Sequence, residues 1–196
     1  MPAPGRLHTK PPAPPLRSHV SDAPARGVSL IELVVTLGVA ASLVLLGLPA
    51  YRNWIAEQQL QNHARLLAQS MYFARSEAIK RGHRVNLCKS SDGTQCADVG
   101  GWGQGFLLHE DESLKGEVDG SDRILRFEPA PLGISVSANK PLAEYVSFTS
   151  YGTARMLSGA LQMGTFTLCK TGLRSVEVVL VASGRVRIAR TKAICP

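Results

Sequence analysis

The sequence predicts an α+β protein in which one long N-terminal helix, with a transmembrane first half, packs on an antiparallel β-sheet head. Three observations predict this class. An apolar run covers residues 28–48, helical spacing of apolar residues continues to Gly82, and short β-type segments separated by turns fill residues 83–196. A helical region followed by a series of strands is typical of α+β domains.

Residues 1–27 form a separate N-terminal leader. They are rich in proline, carry four basic side chains against the single acid Asp22, and contain almost no large apolar side chains. Such a segment cannot bury enough apolar surface to build a core. The sequence therefore predicts a disordered leader.

The apolar run from Val28 to Leu48 is long enough to cross a membrane. Its 21 residues span about 31 Å as a helix, which matches the hydrocarbon core of a bilayer. Arg26 precedes the run, and a basic residue at this end favours a cytoplasmic N-terminus. We therefore expect a single-pass anchor over residues 28–48.

Glu32 is the one charged residue in this run. An ionised carboxylate in a membrane costs about 3 kcal/mol on insertion scales, so an acid at this position indicates a function. One alternative is a plain signal anchor that tolerates a charge near its end. The other is a secretory signal, but such a signal would lack the acid and would end in a small-residue cleavage site.

The hexapeptide Gly27–Glu32, with the sequence Gly-Val-Ser-Leu-Ile-Glu, resembles the processing site of type IV prepilins. The resemblance implies that a prepilin peptidase cuts between Gly27 and Val28 and that the new N-terminus is methylated. It also implies that Glu32 pairs with the N-terminal amine of a neighbouring pilin subunit, where each charge neutralises the other. Pro49 matches the helix-kinking proline of these proteins, whereas Val28 stands where most of them have Phe.

Residues 49–82 are expected to continue the helix as an amphipathic segment. No Gly or Pro interrupts Ala50 to Arg81, and Gly82 after a basic pair is a typical helix end. Apolar residues that recur at roughly helical spacing are expected to pack on the head; they are Ile55, Leu60, Leu67, Met71, Ala74 and Ala78.

The head domain, residues 83–196, is predicted to consist of short strands. Turn residues such as Tyr151-Gly152 and Ser183-Gly184 separate the candidate segments. These segments are residues 83–89, 104–108, 123–127, 134–137, 144–148, 165–170, 175–182 and 185–190.

The head also resembles the GspH/FimT group of minor pilins and pseudopilins. The resemblance rests on residues 102–106 (Trp-Gly-Gln-Gly-Phe), on residues 146–148 with the turn at 151–152, and on a C-terminal hairpin that ends near a cysteine. It implies the type IV pilin fold, an inner-membrane protein with a periplasmic head, and assembly with other pilin subunits into a pilus or pseudopilus.

Four cysteines lie in the head. An even number in an exported domain favours two disulfides, because such domains fold in an oxidising compartment. A metal site is less favoured, since no CxxC or HxxxH spacing occurs. Among the three possible pairings, close spacing favours Cys88–Cys96 and Cys169–Cys195.

No set of residues in the sequence indicates catalysis, a metal site or a cofactor. His63, His83 and His109 lie in separate segments, and no Ser or Cys stands in a nucleophile motif. Residues 110–122 carry six acids but lack the twelve-residue calcium-loop pattern, so a solvated loop is preferred over a calcium site. We therefore expect a protein that is not an enzyme.

A two-residue turn at Ser183-Gly184 is predicted to join the last two strands into a hairpin. In that register Ala182 faces Arg185, and Glu177 faces Arg190 and can pair with it. The period of two along a strand then sorts the side chains. The core face takes the apolar residues Val179, Val181, Val186 and Ile188, and the solvent face takes Arg185 and Arg187.

From spacing alone, Arg185 and Arg187 have two interpretations of about equal weight. Guanidinium groups form paired hydrogen bonds to phosphate oxygens, so the arginines suit electrostatic, sequence-tolerant binding of DNA. Charged residues on an edge hairpin also prevent aggregation. No matching set of aromatics flanks the arginines, so base stacking is not expected to dominate.

The two arginines lie in the sequence Gly-Arg-Val-Arg, which resembles the GRxR motif of FimT-type minor pilins that bind DNA for natural transformation. Only Arg185 and Arg187 carry over from that motif. The whole chain has a net charge of +7, and its C-terminal end is strongly basic. Arg174, Arg190 and Lys192 are therefore added as candidates. The resemblance implies that double-stranded DNA is a partner.

Two functions therefore remain open. A FimT-like minor pilin would bind incoming DNA on the pilus. A structural minor pilin or type II secretion pseudopilin, similar to FimU or GspH, would instead prime assembly of the filament. The arginine pair of the hairpin favours the first function.

Overall fold

The computed structural model describes residues 27–196. The predicted leader, residues 1–27, lies outside the described residues except for Gly27. One long helix, α1, covers Leu30–Arg81 and is followed by eight strands. The strands are β1 Arg84–Lys89, β2 Gly105–Asp111, β3 Ile124–Pro129, β4 Ser135–Ala138, β5 Tyr145–Phe148, β6 Gly164–Cys169, β7 Arg174–Leu180 and β8 Val186–Ile194.

The N-terminal part of α1, up to Leu45, belongs to a unit of its own. Its apolar side chains are exposed throughout. Soluble proteins rarely expose a continuous apolar surface of this size to water. By length and composition, α1 is the one helix within residues 27–196 that could cross a membrane.

The second unit, Leu46–Pro196, contains the rest of α1 and all eight strands. Pro49 lies inside α1 and does not end the helix. Because proline has no N–H, the carbonyl four residues earlier receives no helical hydrogen bond from it.

From Leu60 onward, α1 buries one stripe in the hydrophobic core. The stripe includes most of the predicted residues, but Ile55 is only half-buried. Small alanines alternate with larger side chains along it, which lets the strands approach the helix closely. The buried apolar residues are Leu60, Ala64, Leu67, Ala68, Met71, Ala74 and Ala78.

The helix ends at the glycine that the sequence indicated. Gly82 has a φ of +73°, and its amide donates to the carbonyl of Ala78 at 3.1 Å. In the last turn, the Arg81 guanidinium donates to Glu77 at 2.5 Å and to Glu110 of β2 at 2.8 Å. The hydrogen bond from Arg81 holds the pKa of Glu77 below its ordinary value.

The strands form two antiparallel sheets of four, in the orders β3-β2-β1-β5 and β4-β6-β7-β8. The predicted α+β class, with one long helix packed on antiparallel sheets, is confirmed. Where the sheets meet α1, the rings of Trp102 and Phe166 contact edge to face with centroids 4.9 Å apart.

Two strands run three or four residues past their predicted ends, because partner strands extend them. β2 runs to Asp111, since Phe106–Asp111 pairs with β1, and β3 lies on its other side. β8 runs to Ile194, which pairs with Arg174 beyond an irregularity in the ladder. The alternation of apolar and polar residues in the sequence did not indicate either extension.

The four cysteines form two disulfides, and the pairings are those that sequence spacing favoured. Cys88, in β1, is bonded to Cys96 in the loop that follows. Cys169, at the end of β6, is bonded to Cys195 just after β8. The second bridge therefore closes the end of the β7–β8 hairpin that lies away from its connecting loop.

Candidate nucleic-acid interface

The β7–β8 hairpin lies at one edge of the second sheet. β7 is hydrogen-bonded to β6 and β8, and β8 is the outermost strand. Along β7, buried residues alternate with half-buried ones over most of its length. One face of the hairpin therefore belongs to the core, and the other is open to a ligand.

The loop of this hairpin has three residues, so the predicted two-residue turn is wrong. The Val181 amide donates to the Arg185 carbonyl at 2.9 Å, and the Gly184 amide donates to the Val181 carbonyl at 2.8 Å. The loop residues are Ala182, Ser183 and Gly184, and Gly184 has a φ of +78°. Glycine is favoured there because a side chain makes this left-handed conformation costly.

The additional loop residue shifts the register by one position. Val179 pairs with Arg187, and Val178 pairs with Ile188. Because paired residues share a face, Val179 and Val181 lie on the arginine face, and their predicted place in the core is wrong. Ile188, also predicted in the core, is 40% exposed. The core positions of the hairpin are taken by Val176, Val178, Leu180 and Val186.

Arg185 and Arg187 lie on the outer face and are exposed. With Val181 and Ser183 they line an open groove of about 300 Å³ beside the loop. Among residues 27–196, neither arginine has a carboxylate oxygen within 4.0 Å. Both guanidinium groups are therefore available to a ligand.

Helix α1 supports the hairpin loop from the core side. The Tyr72 hydroxyl donates to the Val186 carbonyl, and Arg75 Nη1 donates to the Gly184 carbonyl at 3.4 Å. A Cβ on Gly184 would lie 2.2 Å from the Gly152 carbonyl oxygen and 3.0 Å from Arg75 Nε. The loop is thus held on both sides, and only glycine fits at position 184.

A second loop of the same design packs against the hairpin loop. The Gly152 amide donates to the Thr149 carbonyl at 2.8 Å, and Gly152 has a φ of +73°. Immediately after this loop, the Ala154 amide donates to the Ala182 carbonyl at 2.9 Å. Tyr151, in the middle of the second loop, is 88% exposed.

Tyr151 is a residue near the arginines that sequence reasoning missed. The turn at Tyr151-Gly152 was predicted, but its position beside the hairpin loop was not. A long stretch of chain separates Tyr151 from Arg185, so no local pattern connects them. The two loops are joined by the hydrogen bond from the Ala154 amide to the Ala182 carbonyl and by the close approach of Gly152 to Gly184.

Arg190 lies in the middle of β8, three positions beyond Arg187, and contacts α1. Its Nη1 lies 3.3 Å from a carboxylate oxygen of Glu57. With its amide oxygen facing the guanidinium, Gln61 accepts hydrogen bonds from Arg190 Nε and Nη2 at 2.7 and 3.1 Å. The predicted Glu177–Arg190 pair is wrong, because the observed register sets Glu177 opposite Ala189.

Arg174 and Lys192 lie toward the end of the hairpin that is opposite its loop, and both are exposed. Arg174 pairs with Ile194 at the end of the ladder. Lys192 is separated from Arg187 by five positions of β8, or about 17 Å along a strand. The structure therefore does not bring Arg174 and Lys192 together with the two arginines of the loop.

The acidic segment, residues 110–122, was predicted to be a solvated loop, but two of its carboxylates are buried. The buried Asp111 carboxylate accepts hydrogen bonds from two backbone amides of this segment and from the Asn86 side chain, at 2.7–3.1 Å. The Asp122 carboxylate, also buried, accepts from two further amides of the segment. Buried carboxylates need such partners, so these oxygens hold the loop in shape.

The three histidines within residues 27–196 have different surroundings. His63 lines an apolar cavity of about 20 Å³ next to Trp102, which is room for about one water, and burial lowers its pKa. His83 is exposed. His109 is buried with Nε2 3.8 Å from Cys96 Sγ, but that sulfur is in a disulfide and offers no thiolate to a metal.

The predicted processing and assembly residues lie at the start of the described chain. Gly27 and Val28 are exposed, so the bond between them is accessible. Glu32 lies in the first turn of α1, where the helix dipole favours a carboxylate. Their roles in cleavage and assembly stay predictions.

Solved structures of a minor pilin and of a minor pseudopilin are similar to this chain. The type IV minor pilin FimU of Pseudomonas aeruginosa aligns with a TM-score of 0.52 at 19% identity, over 71% of this chain and 98% of the FimU chain. The minor pseudopilin EpsH of the Vibrio cholerae type 2 secretion system aligns with a TM-score of 0.46 at 13% identity, over 69% and 99%. The similarity to FimU shows that the fold is that of type IV pilins.

The sequence matches the family described as type II transport protein GspH over residues 63–184. This match covers more than half of the chain, so the protein belongs to the GspH family of minor pilins and pseudopilins. The predicted membership in the GspH/FimT group is confirmed. No curated protein matches the sequence.

Proposed function

We propose that this protein is a minor type IV pilin that binds DNA without sequence specificity and takes part in DNA uptake during natural transformation. The observation that carries the proposal is the pair Arg185 and Arg187. Both are exposed, have no carboxylate oxygen within 4.0 Å among residues 27–196, and line one groove beside the supported hairpin loop. Guanidinium groups bind phosphate oxygens through paired hydrogen bonds.

The proposed binding is mainly electrostatic. Two arginines on one strand can contact the phosphate backbone of duplex DNA, and such contacts carry no sequence information. They release counterions, so affinity falls as the salt concentration rises. A pilus that takes up any DNA needs this kind of sequence-tolerant contact.

The five basic residues predicted from the sequence do not contribute equally to the proposal. Arg185 and Arg187 are the proposed contacts. Arg174 and Lys192, at the other end of the hairpin, add only to the long-range positive field. Arg190 contributes least, because Glu57 and Gln61 already hold its guanidinium.

A DNA-binding titration with two matched double variants tests the proposal. The full chain in detergent is titrated against duplex DNA at low salt. R185Q/R187Q is expected to lose at least tenfold in affinity, a change of about 1.4 kcal/mol or more. R174Q/K192Q removes the same charge from the opposite end of the hairpin and is expected to lose less than threefold.

Equal losses in the two variants would mean that only net charge matters and that the groove is not a site. If the native chain fails to bind duplex DNA at low salt, the proposed function is wrong. Unfolding curves of both variants should match the native curve, because all four side chains are exposed.

The second candidate function is structural. The match to the GspH family and the pilin fold favour a minor pilin or type II secretion pseudopilin that primes assembly of the filament. A gene deletion that abolishes filament formation, with full rescue by R185Q/R187Q, would support this function. Rescue of filaments without rescue of DNA uptake would show that the protein has both.

We further propose that residues 28–48 anchor the protein in the inner membrane with residues 83–196 in the periplasm. Residues 1–27 would be removed by a prepilin peptidase between Gly27 and Val28, and Glu32 would pair with a neighbouring pilin subunit. Mass measurement of the membrane-extracted protein tests the cleavage. An intact leader in assembled filaments would contradict it.

A further inference from the structure

We propose that Tyr151 is a base-stacking platform next to Arg185 and Arg187, so that this end of the hairpin binds single-stranded DNA more tightly than duplex DNA. The proposal deepens the proposed function and rests on it, because it names the form of DNA that the same surface prefers. Its basis is the contact between the two loops at residues 150–152 and 182–184.

The two loops are in direct backbone contact. The carbonyl oxygen of Gly152 lies so close to Gly184 that a Cβ there would be 2.2 Å from it. Tyr151 directly precedes Gly152, and Arg185 directly follows Gly184. An exposed aromatic side chain and the arginine pair therefore lie in one region of the surface.

The exposure of Tyr151 leaves its ring free for a ligand. The side chain is 88% exposed, so it contributes little to the core. A single exposed aromatic residue is common on protein surfaces and indicates nothing by itself. Its position in a loop that packs directly against the loop preceding Arg185 is what indicates a role, since each nucleotide of a single strand offers both a base and a phosphate.

The backbone that carries Tyr151 is fixed in the free protein. The Thr149 amide donates to the Thr153 carbonyl at 3.0 Å, and the two threonine hydroxyl groups lie 2.9 Å apart. Gly152 is buried, and a Cβ there would lie 2.7 Å from Ile79 of α1. Little loop entropy is lost when a ligand binds, which favours affinity.

Stacking distinguishes single strands from duplexes. The faces of the bases are covered inside a duplex but open in a single strand, whereas the phosphates are accessible in both. One base stacked on an aromatic side chain contributes about 1–3 kcal/mol, which corresponds to roughly 5-fold to 150-fold in affinity. Arginine adds a favourable contact with the base face as well.

The test compares three ligands on the full chain in detergent at one salt concentration. The ligands are a fluorescent single strand, its duplex and an abasic single strand of equal length, with binding followed by anisotropy. The native chain is expected to bind the single strand about tenfold more tightly than the other two. Y151A should remove this advantage and leave the affinity for the duplex and abasic ligands within twofold, whereas Y151F should keep it.

L132A is the matched control, because Leu132 is 90% exposed and lies in another loop. If Y151A binds the single strand as tightly as the native chain, the stacking proposal is wrong. Weaker binding of R185Q/R187Q to all three ligands would then leave the proposed function standing. An equal loss for all three ligands in Y151A also contradicts stacking, since abasic DNA has no base to stack. If the native chain binds none of the ligands, the proposed function fails as well.

Discussion

The two ends of the β7–β8 hairpin carry the same kind of side chain but differ in what surrounds it. At the loop end, Arg185 and Arg187 line a groove and have no carboxylate within 4.0 Å among residues 27–196. Away from the loop, in the middle of β8, Arg190 is held by Glu57 and Gln61 of α1. The neighbours that the tertiary structure supplies therefore decide which arginine is free to bind.

The two ends also differ in how they are attached to the rest of the head. The disulfide Cys169–Cys195 closes the far end covalently, and Lys170 donates to Gln59 of α1 at 2.7 Å beside it. The loop end has only hydrogen bonds and the close fit of Gly184 against the Gly152 carbonyl. The disulfide end attaches the hairpin to the head, and the loop end carries the groove with Arg185 and Arg187.

The largest expected effect is the loss of the covalent anchor. C169A/C195A opens a bridge over 26 residues and should lower the free energy of unfolding by about 3.5 kcal/mol, because longer loops lose more entropy on closure. C88A/C96A opens one over 8 residues and should lower it by about 2.5 kcal/mol. Chemical denaturation of the full chain in detergent measures both; a larger loss in C88A/C96A would contradict the assignment of the anchor.

Next in size is the steric fit at the loop end. G184A should lower the free energy of unfolding by about 3 kcal/mol, since it adds a clash with the Gly152 carbonyl to the strain of a positive φ. G172A, at the far end, also has a positive φ, but no atom lies within 4 Å of its added Cβ. It should cost only about 1 kcal/mol. Equal costs in the two variants, from the same denaturation curves, would show that the loops do not pack as described.

A third prediction concerns salt. If Arg185 and Arg187 each contact a phosphate, R185Q/R187Q should reduce the slope of log affinity against log salt concentration by about 1.8, because each contact with duplex DNA contributes about 0.9. R174Q/K192Q should change the slope by less than about half as much. Titrations at several salt concentrations measure both slopes, and an equal change in the two would place DNA contacts at both ends.

The smallest expected effect is at the Glu57–Arg190 pair. Both side chains are about half exposed, at 49% and 61%, so solvent screens the attraction. A double-mutant cycle with E57Q and R190Q should give a coupling free energy below about 1 kcal/mol. A coupling of several kcal/mol would mean that this pair, and not the disulfide, is the main anchor of the far end.

Periodic patterns in the sequence predicted most of the fold. Helical spacing placed the buried stripe of α1 from Leu60 to Ala78, and Gly82 marked its end correctly. These features succeed because they depend on residues three or four positions apart. Strand positions were predicted to within a few residues, except where β2 and β8 extend along a partner strand.

The hairpin shows where this kind of prediction stops. Ser183-Gly184 indicated a turn, but the sequence did not distinguish a two-residue loop from a three-residue one. That single residue moves Val179 and Val181 from the core face to the arginine face. The three-residue loop is held by Arg75 of α1 and by the carbonyl of Gly152, both of which contact Gly184. These contacts come from distant parts of the chain.

The sequence by itself determined the long apolar N-terminal helix, the class of fold and the pair Arg185 and Arg187 after a turn, because length, periodicity and short motifs are local properties of the chain. The tertiary structure alone decided that Arg190 is engaged by α1 and that Arg174 pairs at the far end of the ladder with Ile194. It also decided that the loop of Tyr151 packs against the hairpin loop. The physical reason is that hydrogen bonds, ion pairs and close packing join residues far apart in sequence, and these contacts form only when the helix and both sheets enclose one core.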